Sequence, residues 1–223
     1  VTLADKILDF LSTLPNPGPL PKGVEVMNPF ADANAFALVE CFYRAFYDDN
    51  SPRTAILGIN PGRFGGGITG IPFTDPIKLE KYCGIANDYE KRAELSADFI
   101  YRMIEAFGGP KQFYGQFYIS AVSPLGFVSN GKNMNYYDDT KLERSLRDFI
   151  VTCLKKQLDF PLNRKRCFCL GEGKNFNYLV KLNRDHAFFD EIIPLPHPRF
   201  IMQYRRRRVE EFVELYVGKL AGG

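Results

Sequence analysis

The stretch Thr54-Ala55-Ile56-Leu57-Gly58-Ile59-Asn60-Pro61-Gly62-Arg63-Phe64-Gly65-Gly66-Gly67 changes character halfway along. Its first six residues are an apolar run without polar alternation, entered after Pro52 and stopped by the breaker pair Asn60-Pro61. That is the pattern of a short strand buried on both faces. Such a strand needs parallel neighbours and helices above and below it, which points to an α/β chain built of βαβ units.

Reading outward gives the partners. A helix is expected from about Asp32 to Tyr47, and another from Arg92 to Phe107 with Leu95, Phe99, Met103 and Ile104 on one side. Phe117 to Val122 is a second strand, followed by a polar loop from Ser123 to Tyr137 and a helix from about Asp139 to Leu158. Arg166 to Leu170 is a third strand, Gly171-Glu172-Gly173 opens a further helix, and Glu191 to Ile193 is a fourth strand. Val209, Phe212, Val213, Tyr216, Val217 and Leu220 form the apolar stripe of a last helix. The expected fold is a three-layer α/β/α sandwich around a mostly parallel sheet of four strands. With 223 residues the chain is read as a single domain, 1–223, in which residues 1–50 form a helical arm packed on the rest. Thr2 is the expected cap of its first helix, with Leu3, Ile7, Leu8 and Leu11 turned inward.

Composition bounds the function classes. The 29 Lys and Arg against 26 Asp and Glu leave a formal charge of +3, so bulk charge alone does not name a polyanion as partner. The one dense cationic patch is Arg205-Arg206-Arg207-Arg208. Hydrophobic residues make up 45% of the chain, enough for a buried core. No apolar run approaches the roughly 18 residues of a membrane span, and Val1 to Phe10 lacks a secretory pattern. The five cysteines are scattered without a C-x-x-C pair, which argues against disulfides, a zinc ribbon or an iron–sulfur cluster. Cys167 and Cys169 share one face of a strand and read as small buried hydrophobes. No metal, no organic cofactor and no membrane are expected. A monomer in a reducing compartment is, either bacterial-type cytosol or nucleus.

In parallel sheets ligands gather at the carboxyl ends of the strands. Three segments rich in Gly, Pro, Asn, Ser or His follow strand ends here: Asn60 to Phe73, Ser123 to Asn133, and His197 to Phe200. The first holds the glycines of a close-approach loop, yet it lacks the Lys-Ser/Thr of a Walker loop and the G-x-G-x-x-G of a dinucleotide turn. Ordinary nucleotide cradling is a weak reading of it.

Gly58, Asn60-Pro61-Gly62, Phe64-Gly65, Thr69-Gly70 and Pro72-Phe73 resemble, in register, the uracil-DNA glycosylases, and among them the single-strand-selective monofunctional branch. Pro124-Leu125-Gly126-Phe127 with Ser129, Gly131 and Asn133 is similar to that branch's second motif, and His197-Pro198 to its closing loop. The resemblance runs from about Thr54 to the last helix. It implies hydrolysis of the N-glycosidic bond of uracil or another deaminated base in DNA, single- or double-stranded, with the base flipped out of the helix. Asn60 would orient the attacking water, and His197 would donate to the pyrimidine O2 as negative charge develops there. Phe73 would stack on the base and Phe64 line the pocket, with Ile59 and Gly62 also at the substrate. No lysine lies in the Asn60–Phe73 loop to form a Schiff base, so a monofunctional enzyme is expected.

The sequence also departs from that pattern. Ala121 stands where the branch has its base-reading Asn, which leaves Ser123 as the candidate for base contact and predicts a broader range of deaminated bases, xanthine included. Arg199 and Phe200 are the candidate wedge into the gap left by the flipped nucleotide. Arg63, Lys132 and Asn133 are candidate DNA contacts. So are Arg205 and Arg208, which have no acidic residue four positions on, whereas Arg206 and Arg207 precede Glu210 and Glu211 at that spacing. His186, at a polar helix end, is expected to face solvent. Ala121 leaves open a second reading, a binder of damaged or single-stranded DNA with the same fold and no catalysis.

Overall fold

The computed structural model describes residues 1–222. The strands are β1 (Val24–Met27), β2 (Arg53–Gly58), β3 (Phe117–Ala121), β4 (Gly126–Ser129), β5 (Lys132–Met134), β6 (Leu162–Leu170) and β7 (Glu191–Leu195). The helices are α1 (Leu3–Ser12), α2 (Ala33–Tyr47), α3 (Gly66–Thr69), α4 (Pro76–Cys83), α5 (Leu95–Ala106), α6 (Pro110–Tyr114), α7 (Thr140–Gln157), α8 (Lys174–His186), α9 (Pro198–Tyr204) and α10 (Val209–Ala221). Among the described residues no helix is long and apolar enough to cross a membrane.

The central sheet has the order β3-β2-β6-β7, every pair parallel. It is the expected four-stranded α/β sheet flanked by helices. The run that began the sequence reading is its inner strand β2, with Ala55, Ile56, Leu57 and Gly58 all buried. The chain leaves β2 toward β3 on one side and leaves β6 toward β7 on the other, so the crevice between β2 and β6 is the switch point where a parallel sheet opens a binding site.

A second sheet was absent from the sequence reading. The antiparallel strands β1, β4 and β5 lie in the order β1-β4-β5, with Val26 opposite Phe127 and Val128 opposite Asn133. Two of them occupy the stretch expected to be a polar loop. Asn130 and Gly131, at φ 48° and 68°, form the turn between β4 and β5, an Asn-Gly hairpin signature that the short, polar flanks obscured. Helices α4 and α6 were also unforeseen; each begins at a proline after a cap position, Asp75 and Gly109. His186 is not solvent-facing. It is half-buried, its ring stacks on Phe188 at 5.3 Å, and its Nε2 has no partner.

The first fifty residues are built into this body. Thr2 and Asp5 form a reciprocal capping box at the start of α1, and Leu3, Ala4, Ile7, Leu8, Phe10 and Leu11 join the same buried cluster as β2 and α2. β1 pairs with β4, which ties residues 24–27 to the second loop of the site.

Arg53, at the start of β2, is 1% exposed. Its guanidinium donates to Asp49 through two nitrogens, at 3.0 and 2.8 Å, and to the carbonyls of Ser51 and Tyr114 at 2.7 Å each. The Arg53 hydrogen bonds hold the Asp49 carboxyl down at about 2. A depressed carboxyl contributes stability above its ordinary value of 3.8 and loses it as pH falls toward 2. Asp49→Asn leaves the buried guanidinium without its counter-charge. It should lower stability by about 2 kcal/mol, the low side for a broken buried pair because the carboxylate is half exposed. Urea melts should show that difference at pH 7 shrinking between pH 4 and 2.

Candidate active site

The carboxyl ends of β2, β3, β6 and β7 open on one cavity of about 880 Å³. Asn60 to Phe64 and Phe73 come from the loop after β2, and Ala121 and Pro124 from the end of β3 and beyond. Lys132, Asn133, Asn135 and Tyr137 follow from the hairpin, Gly171 to Asn175 from the turn after β6, and His197, Arg199 and Phe200 from the loop after β7. All three segments picked out in the sequence therefore meet here. The turn Gly171-Glu172-Gly173 is a further wall that the sequence reading had taken only as a helix start.

Asn60 is fixed by three backbone groups. Its Nδ2 donates to the carbonyls of Met134, at 3.1 Å, and Pro61, at 3.3 Å, while its Oδ1 accepts from the Tyr136 N–H at 3.0 Å. Two carbonyls on one atom and an N–H on the other set which way the amide faces. Oδ1 keeps a second lone pair for a solvent molecule.

His197 is the N-cap of α9, held between buried Pro196 and Pro198. Its Nδ1 accepts the Arg199 N–H at 3.1 Å, so in the neutral ring the proton sits on Nε2 and that atom is a donor. Burial, with a smaller contribution from Arg199, lowers the imidazole to about 4. At neutral pH His197 is an uncharged donor of defined tautomer. The loop before it is braced from the last helix, where buried Tyr216 donates its hydroxyl to the Pro196 carbonyl.

Phe73 takes a left-handed backbone, φ 52°, uncommon for a residue with a side chain. The following Thr74 is fully buried; its carbonyl accepts from Thr69 Oγ1 at 2.7 Å and its N–H donates to Ile71 at 3.2 Å. The Phe73 ring lies 6.2 Å from the His197 ring and rests on Gly58, where a β-carbon would stand 2.8 Å from Cζ. Gly67 is needed for a similar reason: a β-carbon there would meet the Gly62 carbonyl oxygen at 2.7 Å. The Gly65 and Gly67 amides both donate to that oxygen, so much of the glycine loop's hydrogen bonding is spent within the loop.

Phe64 lines the cavity, with the Arg92 guanidinium 3.7 Å and the Arg63 guanidinium 4.5 Å from its ring centre. Arg63 also ties two loops together, donating its N–H to Asn133 Oδ1 at 3.2 Å and its side chain to the Gly131 carbonyl. Ile59 and Gly62 line the cavity, and Lys132 stands exposed at its edge.

Two expectations fail here. Ser123 is fully buried, is not among the cavity residues, and donates to the Leu125 carbonyl at 2.9 Å, so its hydroxyl is unavailable to a base. The arginine cluster pairs differently from the spacing rule, because Arg206–Arg208 form a 3-10 turn and α10 starts only at Val209. Arg208 is neutralised by Glu211 at 2.7 Å, and Glu210 pairs with Arg102 at 3.2 Å. Arg206 and Arg207 make no ion pair among the described residues, nor does Arg205, whose guanidinium lies 5.3 Å from the Phe200 ring centre. Arg199 stands 4.0 Å from Glu94. Phe200 and Tyr204, 43% and 60% exposed, are the only aromatic side chains so exposed among the described residues. They sit one helical turn apart on α9 with rings 5.6 Å from each other. The sequence reading missed Tyr204, although its spacing from Phe200 puts both on one helix face.

The parallel sheet thus opens on a switch-point cavity that brings together a fixed amide, a neutral histidine donor and an aromatic ring. The uracil DNA glycosylase superfamily model matches residues 45–221, and the chain belongs to that superfamily. Its function class is thus DNA glycosylase, with DNA the partner. The chain is similar over its whole length to a crystal structure described as wild-type Pedobacter heparinus SMUG2: 46% identity, TM-score 0.97, covering 100% of this chain and 98% of that one. Comparison with curated proteins returns no match.

Gly58→Ala should push the Phe73 ring off its seat, lowering stability by about 1–3 kcal/mol and weakening substrate binding. In a Phe73→Ala background the same change should cost almost nothing, a coupling that thermal melts of the two single variants and the double variant measure directly.

Proposed function

We propose that this protein removes uracil and other deaminated bases from DNA by simple hydrolysis, leaving an uncut abasic strand. The observation that carries the reading is the opposed pair in one cavity: Asn60, with a free lone pair on a rigid Oδ1, and His197, with a neutral ring whose Nε2 is a donor. The base flips out and stacks on Phe73. As the C1′–N bond breaks, its electron pair leaves with the base, and His197 Nε2–H stabilises the charge on the base oxygen. A water held by Asn60 Oδ1 then attacks C1′, and its proton passes to solvent or to the departing base, giving free base and an abasic sugar. A neutral amide positions that water without taking its proton, which suits a sugar already bearing positive charge.

Ala121 lines the cavity without a polar side chain, and Ser123 is turned away. The site therefore lacks a side-chain amide from β3 to penalise a wrong base edge, and its range extends over several deaminated bases, xanthine among them. Base release from an oligonucleotide series differing only in the damaged base tests this; release of uracil alone would sink it. Asn60→Ala and His197→Ala should each slow release by on the order of 100- to 1000-fold. Lys132 and Lys174 line the cavity, so simple hydrolysis has a direct check: strand cleavage without alkali, abolished by either Lys→Ala change, would overturn the monofunctional reading.

The pH dependence follows from His197. Its ring is neutral well below the ordinary value of 6.5, so single-turnover rates should run level through that value and fall only as pH approaches about 4, where protonation of Nδ1 breaks the cap to Arg199. An inflection near 6.5 that disappears in His197→Gln would contradict the neutral-donor role.

A further inference from the structure

Beyond the base pocket, the rim carries an arrangement that base excision does not account for. The Arg92 guanidinium lies 3.7 Å from the centre of the Phe64 ring, a separation reached only when the planar group lies over the face of the ring. In that pose its N–H donors lie in a plane along the ring face, on an exposed residue. Among the described residues none of them has an acceptor and Arg92 makes no ion pair; the residue's one hydrogen bond is from its backbone N–H to Glu90. The nearby Glu94 is engaged elsewhere, capping the Ala97 N–H at 2.9 Å and facing Arg199. The Arg63 guanidinium stands 4.5 Å from the same ring centre, also without a carboxylate. Two like charges are thus held around one phenyl ring at the mouth of the cavity, and Arg92 lies outside the residues that line it. Both side chains are exposed, so water screens the repulsion between them, and an anion beside the pair removes what remains.

We infer that Arg92 and Arg63, mounted on Phe64, form a clamp for a single phosphate of the DNA strand next to the flipped nucleotide. Phe64 then serves as the mount of the clamp, since the face covered by Arg92 is closed to a base. Arg92 supplies the bidentate fork, and Arg63, already bonded to the Gly131 carbonyl, anchors the hairpin side. The clamp rests on the glycosylase reading and adds to it a fixed register of the backbone, which sets which nucleotide faces the cavity.

The test pairs the full chain with uracil oligonucleotides in which one phosphate at a time is replaced by an uncharged methylphosphonate. For the wild-type protein one position beside the uracil should weaken binding on the order of fivefold, and Arg92→Gln should lose a similar factor on unmodified DNA. Combined at that position, the two losses should not multiply. Arg92→Gln should also lower the slope of log affinity against log salt by about 0.7, the value for one contact on a single strand. Arg207→Gln, an exposed arginine away from the cavity, should shift the salt slope without coupling to that position. Multiplying losses at every flanking position, or an unchanged salt slope for Arg92→Gln, would overturn the clamp. Uracil release by the wild-type protein, read in the same samples, reports separately on the glycosylase reading: no release with coupling intact would sink that reading and leave the clamp standing.

Discussion

Everything at the site hangs on the parallel pairing of β2 with β3 on one side and β6 on the other. Because the strands run the same way, their carboxyl ends finish at one edge. Because the chain departs in opposite directions from β2 and β6, the loops that follow them part and leave a crevice. A side chain placed one or two residues past each strand is then brought to the same cavity from a distant part of the chain. Asn60 and His197 meet in this way across 137 positions of sequence, with neither on a flexible arm: one is pinned by three backbone groups, the other caps a helix.

Much of this is legible in the amino-acid sequence. An unbroken apolar run ending at Asn60-Pro61 can hardly be anything but an inner strand, and the helical stripes around it leave little choice of class. What escaped the reading has physical causes. β4 and β5 are only four and three residues long, too short to carry an apolar periodicity, and β5 is largely exposed; only the Asn130-Gly131 turn betrays them. Ser123 is the polar side chain nearest Ala121 along that loop, but the chain has left the strand by then and the hydroxyl closes a local turn. The Arg208 pair with Glu211 was hidden because spacing rules for helices do not hold across a 3-10 turn. Arg92 was invisible in sequence because stacking on a ring leaves no spacing signature.

The near-neutral total charge also takes on a different meaning in three dimensions. Some of the acids are held in pairs and caps, as with Asp49 on Arg53 or Asp75 on the Lys78 and Glu94 amides. Arg63, Arg92, Arg205, Arg206 and Arg207 have no carboxylate partner among the described residues; Arg63 and Arg92 lie on the Phe64 ring, and Arg205 lies by the exposed Phe200 ring of α9. A protein of small net charge thereby presents a local surface that suits a polyanion with flat bases, and does so without the general stickiness of a strongly basic chain.

The hydroxyl of Tyr216 on the Pro196 carbonyl joins the last helix to the loop that presents His197. Tyr216 belongs to the final turns of the described chain, and its ring also packs edge-on against Phe99 of α5 at 4.9 Å. Removing this one ring would open the core beside Phe99 and at the same time free the Pro196 carbonyl. The place of the imidazole is thus set partly from twenty residues further along the chain, by a group that never enters the cavity.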